Sequence, residues 1–201
     1  MSISRKRIVI IVVLILCLFY VKITFFQTYS GPAAISDPIQ SELMEKHITH
    51  IDLNGNQIPV TLIAPYEGSF GVKGVKKYTT DGASVVSPRD YVLAWGELLN
   101  EEVDAEIKYS QSNRWYYYTY SPQSIVTEDY ISTHSANTHI VPSNQGLLRT
   151  IKKVKNNDYI TLEGYLAIVH FDRGDWESSI TREDTGDGAC EILYVTDIII
   201  H

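Results

Sequence analysis

The hydrophobic pattern divides the chain into two unequal parts. From Ile8 to Phe26 nearly every position is apolar (IVIIVVLILCLFYVKITFF), whereas beyond residue 46 apolar and polar positions trade places in short runs. Nineteen residues at about 1.5 Å rise give roughly 28 Å of helix, close to the bilayer's hydrocarbon thickness of about 30 Å. Residues 8–26 are therefore predicted to form one transmembrane helix, a signal anchor. Lys22, the charge within it, lies near the distal end, where its stem can snorkel to the interface. Arg5, Lys6 and Arg7 hold residues 1–7 in the cytoplasm. The rival reading is a cleaved signal peptide, whose apolar region of about 7–15 residues fits Ile8–Val21. No clean small-x-small site follows, since Thr28-Tyr29-Ser30 and Pro32-Ala33-Ala34 are poor matches. The anchor is favoured, and both readings export the rest.

Residues 27–45 carry Gly31, Pro32 and Pro38 without a sustained period and read as a tether. Residues 46–201 are expected to form one extracytoplasmic domain. His47–Leu53 and Asn56–Ile63 flank Asn54-Gly55, the dipeptide favoured in two-residue hairpin turns, with Pro59 required to sit on an edge. Ser69–Thr80 is a further strand. Ser87-Pro88-Arg89-Asp90 looks like a helix start, which predicts a helix to about Leu99. Ala105–Gln111 and Arg114–Tyr120 are strands, the second placing Tyr116, Tyr118 and Tyr120 on one face. Thr127-Glu128-Asp129 opens a short helix. His139–Val141 is extended, and Ser143–Val154 holds a short basic amphipathic helix. Tyr159–Phe171 and Cys190–Ile200 alternate as long strands, joined through a turn at Asp172–Asp175 and a Gly-rich loop at Glu183–Ala189. The expected class is α+β and mainly antiparallel: a curved sheet or small β-barrel with short helices, preceded by the membrane helix.

Charge narrows the partners. The chain's net charge is −7, and setting apart Arg5, Lys6, Arg7 and Lys22 leaves 13 Lys+Arg against 24 Asp+Glu, or −11, for the remainder. So acidic a domain is a poor nucleic-acid binder. Of the two cysteines only Cys190 is exported. An oxidising compartment normally pairs its cysteines, so a single one is either buried and inert or chemically used.

Three stretches could carry chemistry. His134-Ser135-Ala136-Asn137-Thr138-His139 packs four polar groups into six residues. Converging histidines would serve as base and orienter for a nucleophile, although five residues apart they do not share a helix face. The blander reading has Ser135 and Asn137 bonding backbone and the histidines satisfying buried partners. Around Cys190, Arg182, Asp184, Asp187 and Glu191 surround two glycines. Cys190 would be a nucleophile if a histidine lowered its pKa, and a small buried hydrophobe otherwise. The acids fit no calcium loop and no carboxylate completes a zinc motif, so neither metal nor cofactor is expected. Arg114 with Trp115–Tyr120 would make an aromatic platform for sugar or peptide, or simply pack on both faces. The catalytic candidates are thus His134, Ser135, His139 and Cys190. The ligand-binding candidates are Asn137, Arg114, Trp115, Arg182 and Asp184.

Several stretches resemble an uncharacterised family of small exported or membrane-anchored bacterial proteins. They are Ser87-Pro88 with Leu93-Ala94-Trp95-Gly96, Ser110–Tyr116, His134–Pro142, Leu162–Leu166, and Ser178–Gly186 with Ala189-Cys190-Glu191. Thr138 departs from the family's motif, which has Met there. The resemblance implies a bacterial envelope protein and no particular activity. The combined expectation is a single-span protein of the bacterial inner (cytoplasmic) membrane. Residues 8–26 would hold it there, and its acidic outer domain would bind a protein or another envelope component. The alternative is a hydrolase- or transferase-like enzyme using the 134–139 segment and Cys190.

Overall fold

The computed structural model describes residues 36–43, 45–53, 56–184, 186 and 188–201. The expected membrane helix at 8–26 and the Asn54-Gly55 turn lie outside them. Among the described residues no helix is long and apolar enough to cross a membrane.

Strands dominate, as the alternating pattern requires. They are β1 (Ile39–Gln40), β2 (His47–Leu53), β3 (Asn56–Lys77), β4 (Arg89–Ala94), β5 (Ile107–Ser112), β6 (Trp115–Tyr120), β7 (Ser135–Pro142), β8 (Tyr159–Phe171), β9 (Gly174–Glu177) and β10 (Glu191–Ile200). The pairings close on themselves: β3 pairs β4, β4 pairs β7, β7 pairs β10, β10 pairs β8, and β8 returns to β3. Among the described strands only β7 with β10 is parallel. One strand can serve two neighbours because β3 is 22 residues long. Its Val60–Gly71 part lies on β8 and its Gly71–Lys77 part on β4. The register shifts between Leu62 and Ala64, and between Val72 and Gly74, bend it as closure demands.

All five strands of the ring supply the interior: Phe70 and Val72, Tyr91 and Leu93, Ile140, Leu162 and Leu166, Leu193 and Val195. Burying side chains of this size contributes about 1.5–3 kcal/mol each before entropy is counted. A second cluster lies on the opposite faces of β3, β8 and β10, where Ile51 and Leu53 of β2 cover Val60, Leu62, Val169 and Tyr194. The helix Gln145–Ile151 joins β7 to β8 and begins at Asn144, whose Oδ1 accepts from the N–H groups of Gly146 and Leu147. Leu148 and Ile151 are its buried residues, and Tyr91 donates to Ile151 O at 2.6 Å.

Two expectations need correction. Residues 87–99 are not a helix, because β4 occupies Arg89–Ala94 and a 3-10 turn follows at Gly96–Leu99. The Ser-Pro-x-Asp pattern imitates a cap. Tyr91 to Trp95, however, is an unbroken buried apolar run, and β4 is hydrogen-bonded on both sides, so long-range pairing overrides the local signal. The tether also ends earlier than residue 45. Pro38 is buried, β1 pairs Glu67 and Tyr66, and Gln40 donates to Ile180 O at 2.9 Å. The folded body therefore includes Asp37–Gln40.

Gly164 marks the closest strand approach. A Cβ there would run into the carbonyl oxygen of Tyr194, in the stretch of β10 just before its register shift. Gly164→Ala is expected to lose about 2–4 kcal/mol of stability in chemical denaturation, since the obstacle is backbone and cannot swing aside.

Candidate functional site

The connection from β4 to β7 makes the site. It holds the 3-10 turn, the short helix Glu101–Asp104, the β5–β6 hairpin and the helix Glu128–Thr133. The hairpin turns on Asn113 and Arg114, both at positive φ, 53° and 70°. That is the two-residue geometry right-twisted strands favour, but with arginine where glycine is usual. The side chain explains the choice. Arg114 Nη1 donates to Asp90 Oδ1 at 2.6 Å, while Nη2 and Nε donate to Asp81 at 2.7 and 3.1 Å. Its guanidinium lies 3.8 Å from the centre of the Tyr78 ring, and the backbone N–H of Arg114 donates to the Tyr78 hydroxyl. Burial works against the Asp81 carboxylate, but the hydrogen bond and charge of Arg114 outweigh it and hold its pKa below the usual range.

Asn137 ties the same hairpin from the other side. Its Nδ2 donates to Arg114 O at 2.8 Å, and its Oδ1 accepts from Gln111 Nε2 at 2.8 Å. Asn137 is 1% exposed, so both ends of its amide are satisfied by protein. The hairpin is thereby pinned against β4 and β7.

Beside this clamp lies a cleft of about 370 Å³. Trp115, Tyr116 and Tyr118 of β6 and Trp95 supply rings. Ser135 and Asn137 of β7, Glu128 of the helix, Arg182 and Asp184 of the loop, and Cys190 and Glu191 supply polar groups. Tyr116 and Tyr118 pack 5.9 Å apart, and Tyr118 and Tyr120 6.3 Å, so the expected tyrosine face is a column. Most of these groups are held by protein. Asp184 Oδ2 accepts from Ser179 Oγ at 2.7 Å, and Tyr120 donates to Glu128 at 3.0 Å. Arg182 Nη2 donates to Pro38 O at 2.5 Å, and Asp37 stands 3.7 Å from its Nη1.

Glu191 differs. It is 7% exposed and its Oε2 has no hydrogen-bond partner. Burial, reinforced by the nearby Asp184 charge, pushes its pKa up to about 8 despite a bond from its own backbone N–H.

Six of the sequence-predicted residues reach this cleft: Ser135, Asn137, Trp115, Arg182, Asp184 and Cys190. Arg114 stands behind it as the clamp. The histidines are placed elsewhere. His134 stacks on Tyr130 at 3.7 Å, with its Nδ1 3.0 Å from Tyr130 O and its Nε2 3.7 Å from Asp37. His139 is buried against Trp176. Its Nδ1 lies 3.0 Å from Asp90 Oδ2, but the two are not aligned as a hydrogen bond. Ser135 Oγ donates to Ile131 O at 2.7 Å. Cys190 Sγ has Asn137 Nδ2 at 3.7 Å and Arg114 O at 3.8 Å as its partners, with no histidine bonded to it among the described residues. Burial pushes the thiol up to about 11, and the charges of Glu191, Asp90 and Asp184 add to this. A thiol so placed is a weak nucleophile. Asp187 lies outside the described residues, among which no three His, Cys, Asp or Glu side chains are grouped as metal ligands would be.

Sequence reasoning gave Glu128, Trp95 and Asp90 no part in a site, and offered Glu191 only as a calcium ligand. Glu128 and Asp90 looked like helix-start acids, and no local pattern announces that a hairpin 24 residues on will reach Asp90.

Two measurements probe this arrangement. Arg114→Ala is expected to lose about 3–5 kcal/mol in urea unfolding, because it strands the buried Asp90 charge; Arg114→Lys should recover only part, since an ammonium cannot fork to two carboxylates. For Glu191 the sign runs the other way from a paired carboxylate. Its folded pKa lies above its ordinary 4.5, so the native state keeps a proton that the unfolded chain releases. Stability should therefore fall as pH rises from about 4.5 through about 8. Glu191→Gln should remove that slope and gain on the order of 2 kcal/mol at pH 8, read as a higher Tm.

Comparison with protein-family models, with curated proteins and with solved structures finds no match to the chain. Function rests on the geometry of this cleft.

Proposed function

We propose that the chain is a single-span bacterial envelope protein whose acidic outer domain binds an envelope component in the cleft between β6, β7 and the 181–191 loop. The observation that carries this is convergence. Segments separated by up to some 95 residues bring four aromatic rings and several hydrogen-bonding side chains to one concavity. Rings to cover an apolar face and polar groups to fix orientation are what a small-ligand site needs.

The strand order supports the reading. A ring ordered β3-β4-β7-β10-β8, in which the third and fifth strands in chain order (β7 and β10) are parallel and a helix joins the third to the fourth (β7 to β8), has the connectivity of the OB barrel. Such barrels take oligosaccharides and oligonucleotides on their second and third strands and neighbouring loops. Here the cleft uses the third strand and the loop between the fourth and fifth. Fold does not dictate function, and the acid excess argues against a polyphosphate ligand. The apolar run at 8–26 and the basic residues before it support the envelope placement, with the outer domain extracytoplasmic.

The test is retention of full-length protein, purified from membranes, on isolated cell-wall sacculi and on cross-linked envelope proteins. Trp115→Ala removes a partly exposed ring from the cleft and should lower retention about tenfold with the melting temperature unchanged, given a loss of 1–2 kcal/mol for one stacking ring. Unchanged retention on both would overturn the cleft as the binding site.

A further inference from the structure

Resting on that cleft-binding reading, we infer that the ligand presents a protonated amine, and that the ammonium is held against the Glu191 carboxylate with the cleft's rings around its carbon neighbours. Four observations converge. Glu191 lines the cleft and its buried Oε2 is left without a hydrogen-bond partner, an arrangement that native structures tolerate where something else completes it. The ionisable lining is acidic: Glu128, Asp184 and Glu191 against Arg182. Arg182 is turned to Pro38 O and Asp37, which occupies the one cation that would compete for Glu191. Finally, the rings of Trp115, Tyr116, Tyr118 and Trp95 offer the electron-rich faces on which alkylammonium groups settle.

A primary ammonium suits this set better than a quaternary one. Once ionised, the Glu191 carboxylate accepts only and gains most from an N–H donor, which a trimethylammonium lacks. Neutral hydroxylated or acetylated ligands would use the rings but leave the acidic lining uncompensated. The charged and titratable groups that face Glu191 are Asp184 and Arg182 from the loop, Tyr66 from β3, Tyr116 from β6, and the adjacent Cys190. Of these only Arg182 is cationic. Because the free carboxyl keeps its proton at neutral pH, pairing with an ammonium must release that proton to solvent. Binding at pH 7 should therefore expel close to one proton per ligand.

The two common sources of such an amine are amino sugars and lysine-type side chains, and paired probes separate them. Full-length protein is titrated by calorimetry in two buffers of different ionisation enthalpy. The ligands are glucosamine against N-acetylglucosamine, and Nα-acetyl-lysine amide against its Nε-acetylated form. The expected result is at least tenfold tighter binding of one free amine than of its acetylated twin, with proton release. Glu191→Gln should abolish both the preference and the proton release while melting higher than wild type at pH 8, so that lost binding cannot be blamed on lost structure. If an acetylated twin binds as well as its amine, the ammonium assignment is wrong and the cleft reading stands. If no probe binds while Trp115-dependent retention on envelope material persists, the ammonium assignment again falls alone. If retention fails as well, both readings fall.

Discussion

One guanidinium holds the functional half of this molecule together. Arg114 occupies a turn position that glycine would fill without strain, and what it gains in exchange is a fork gripping Asp90 and Asp81. Asp90 sits at 0% exposure on β4, where an unpaired carboxylate would be untenable. The hairpin that carries Arg114 is thus required by the barrel, and the barrel's polar outer face is required by the hairpin. Their mutual dependence fixes β6, with its row of rings, against β7. Without it the cleft would have only one wall.

Asn137 makes that fixation directional. An arginine between two carboxylates tolerates some sliding, whereas a buried amide with its oxygen on Gln111 and its nitrogen on Arg114 O sets the hairpin's height along β7. The same nitrogen is a partner of Cys190 Sγ, so the thiol belongs to this structural network. That placement also accounts for the thiol's reluctance to ionise. Shielding from water and the nearby carboxylates outweigh the Asn137 hydrogen bond, which favours the thiolate, and among the described residues no cation is bonded to the sulfur.

Much of the fold could be read from the chain because its strands are long and alternate. Tyr159–Phe171 emerges with the bounds expected of it, Thr127 announces a short helix through capping chemistry, and the amphipathic pattern of Ser143–Val154 announces another. The mistaken helix at 87–99 has a physical moral: Ser87 and Asp90 are polar for a tertiary reason, and a local rule assigned them a local one. The site was legible residue by residue and illegible as a whole. Ser135, Asn137, Trp115, Arg182, Asp184 and Cys190 were singled out for their chemistry, and all six meet at one cleft. What composition could not supply was relative orientation. His134 and His139 share a motif with Ser135 yet project to an aromatic stack and to a buried acid respectively.

The contrast between two buried carboxylates then separates scaffold from site. Asp90 and Glu191 are both nearly inaccessible acids on neighbouring parts of one barrel. Asp90 has a guanidinium at 2.6 Å on Oδ1, and although its Oδ2 also lacks an aligned hydrogen bond, His139 Nδ1 stands 3.0 Å from it, so both oxygens face groups of the chain. Glu191 has an oxygen with no hydrogen-bond partner among the described residues, and burial, with the Asp184 charge, makes its ionisation harder although its own backbone N–H and Arg182 work the other way. A leucine or glutamine would serve stability better at that position. The chain's preference for a destabilising acid, placed in a cleft where most other polar groups are held by protein, is intelligible if its partner arrives from outside. A cation is the partner that turns the penalty into affinity.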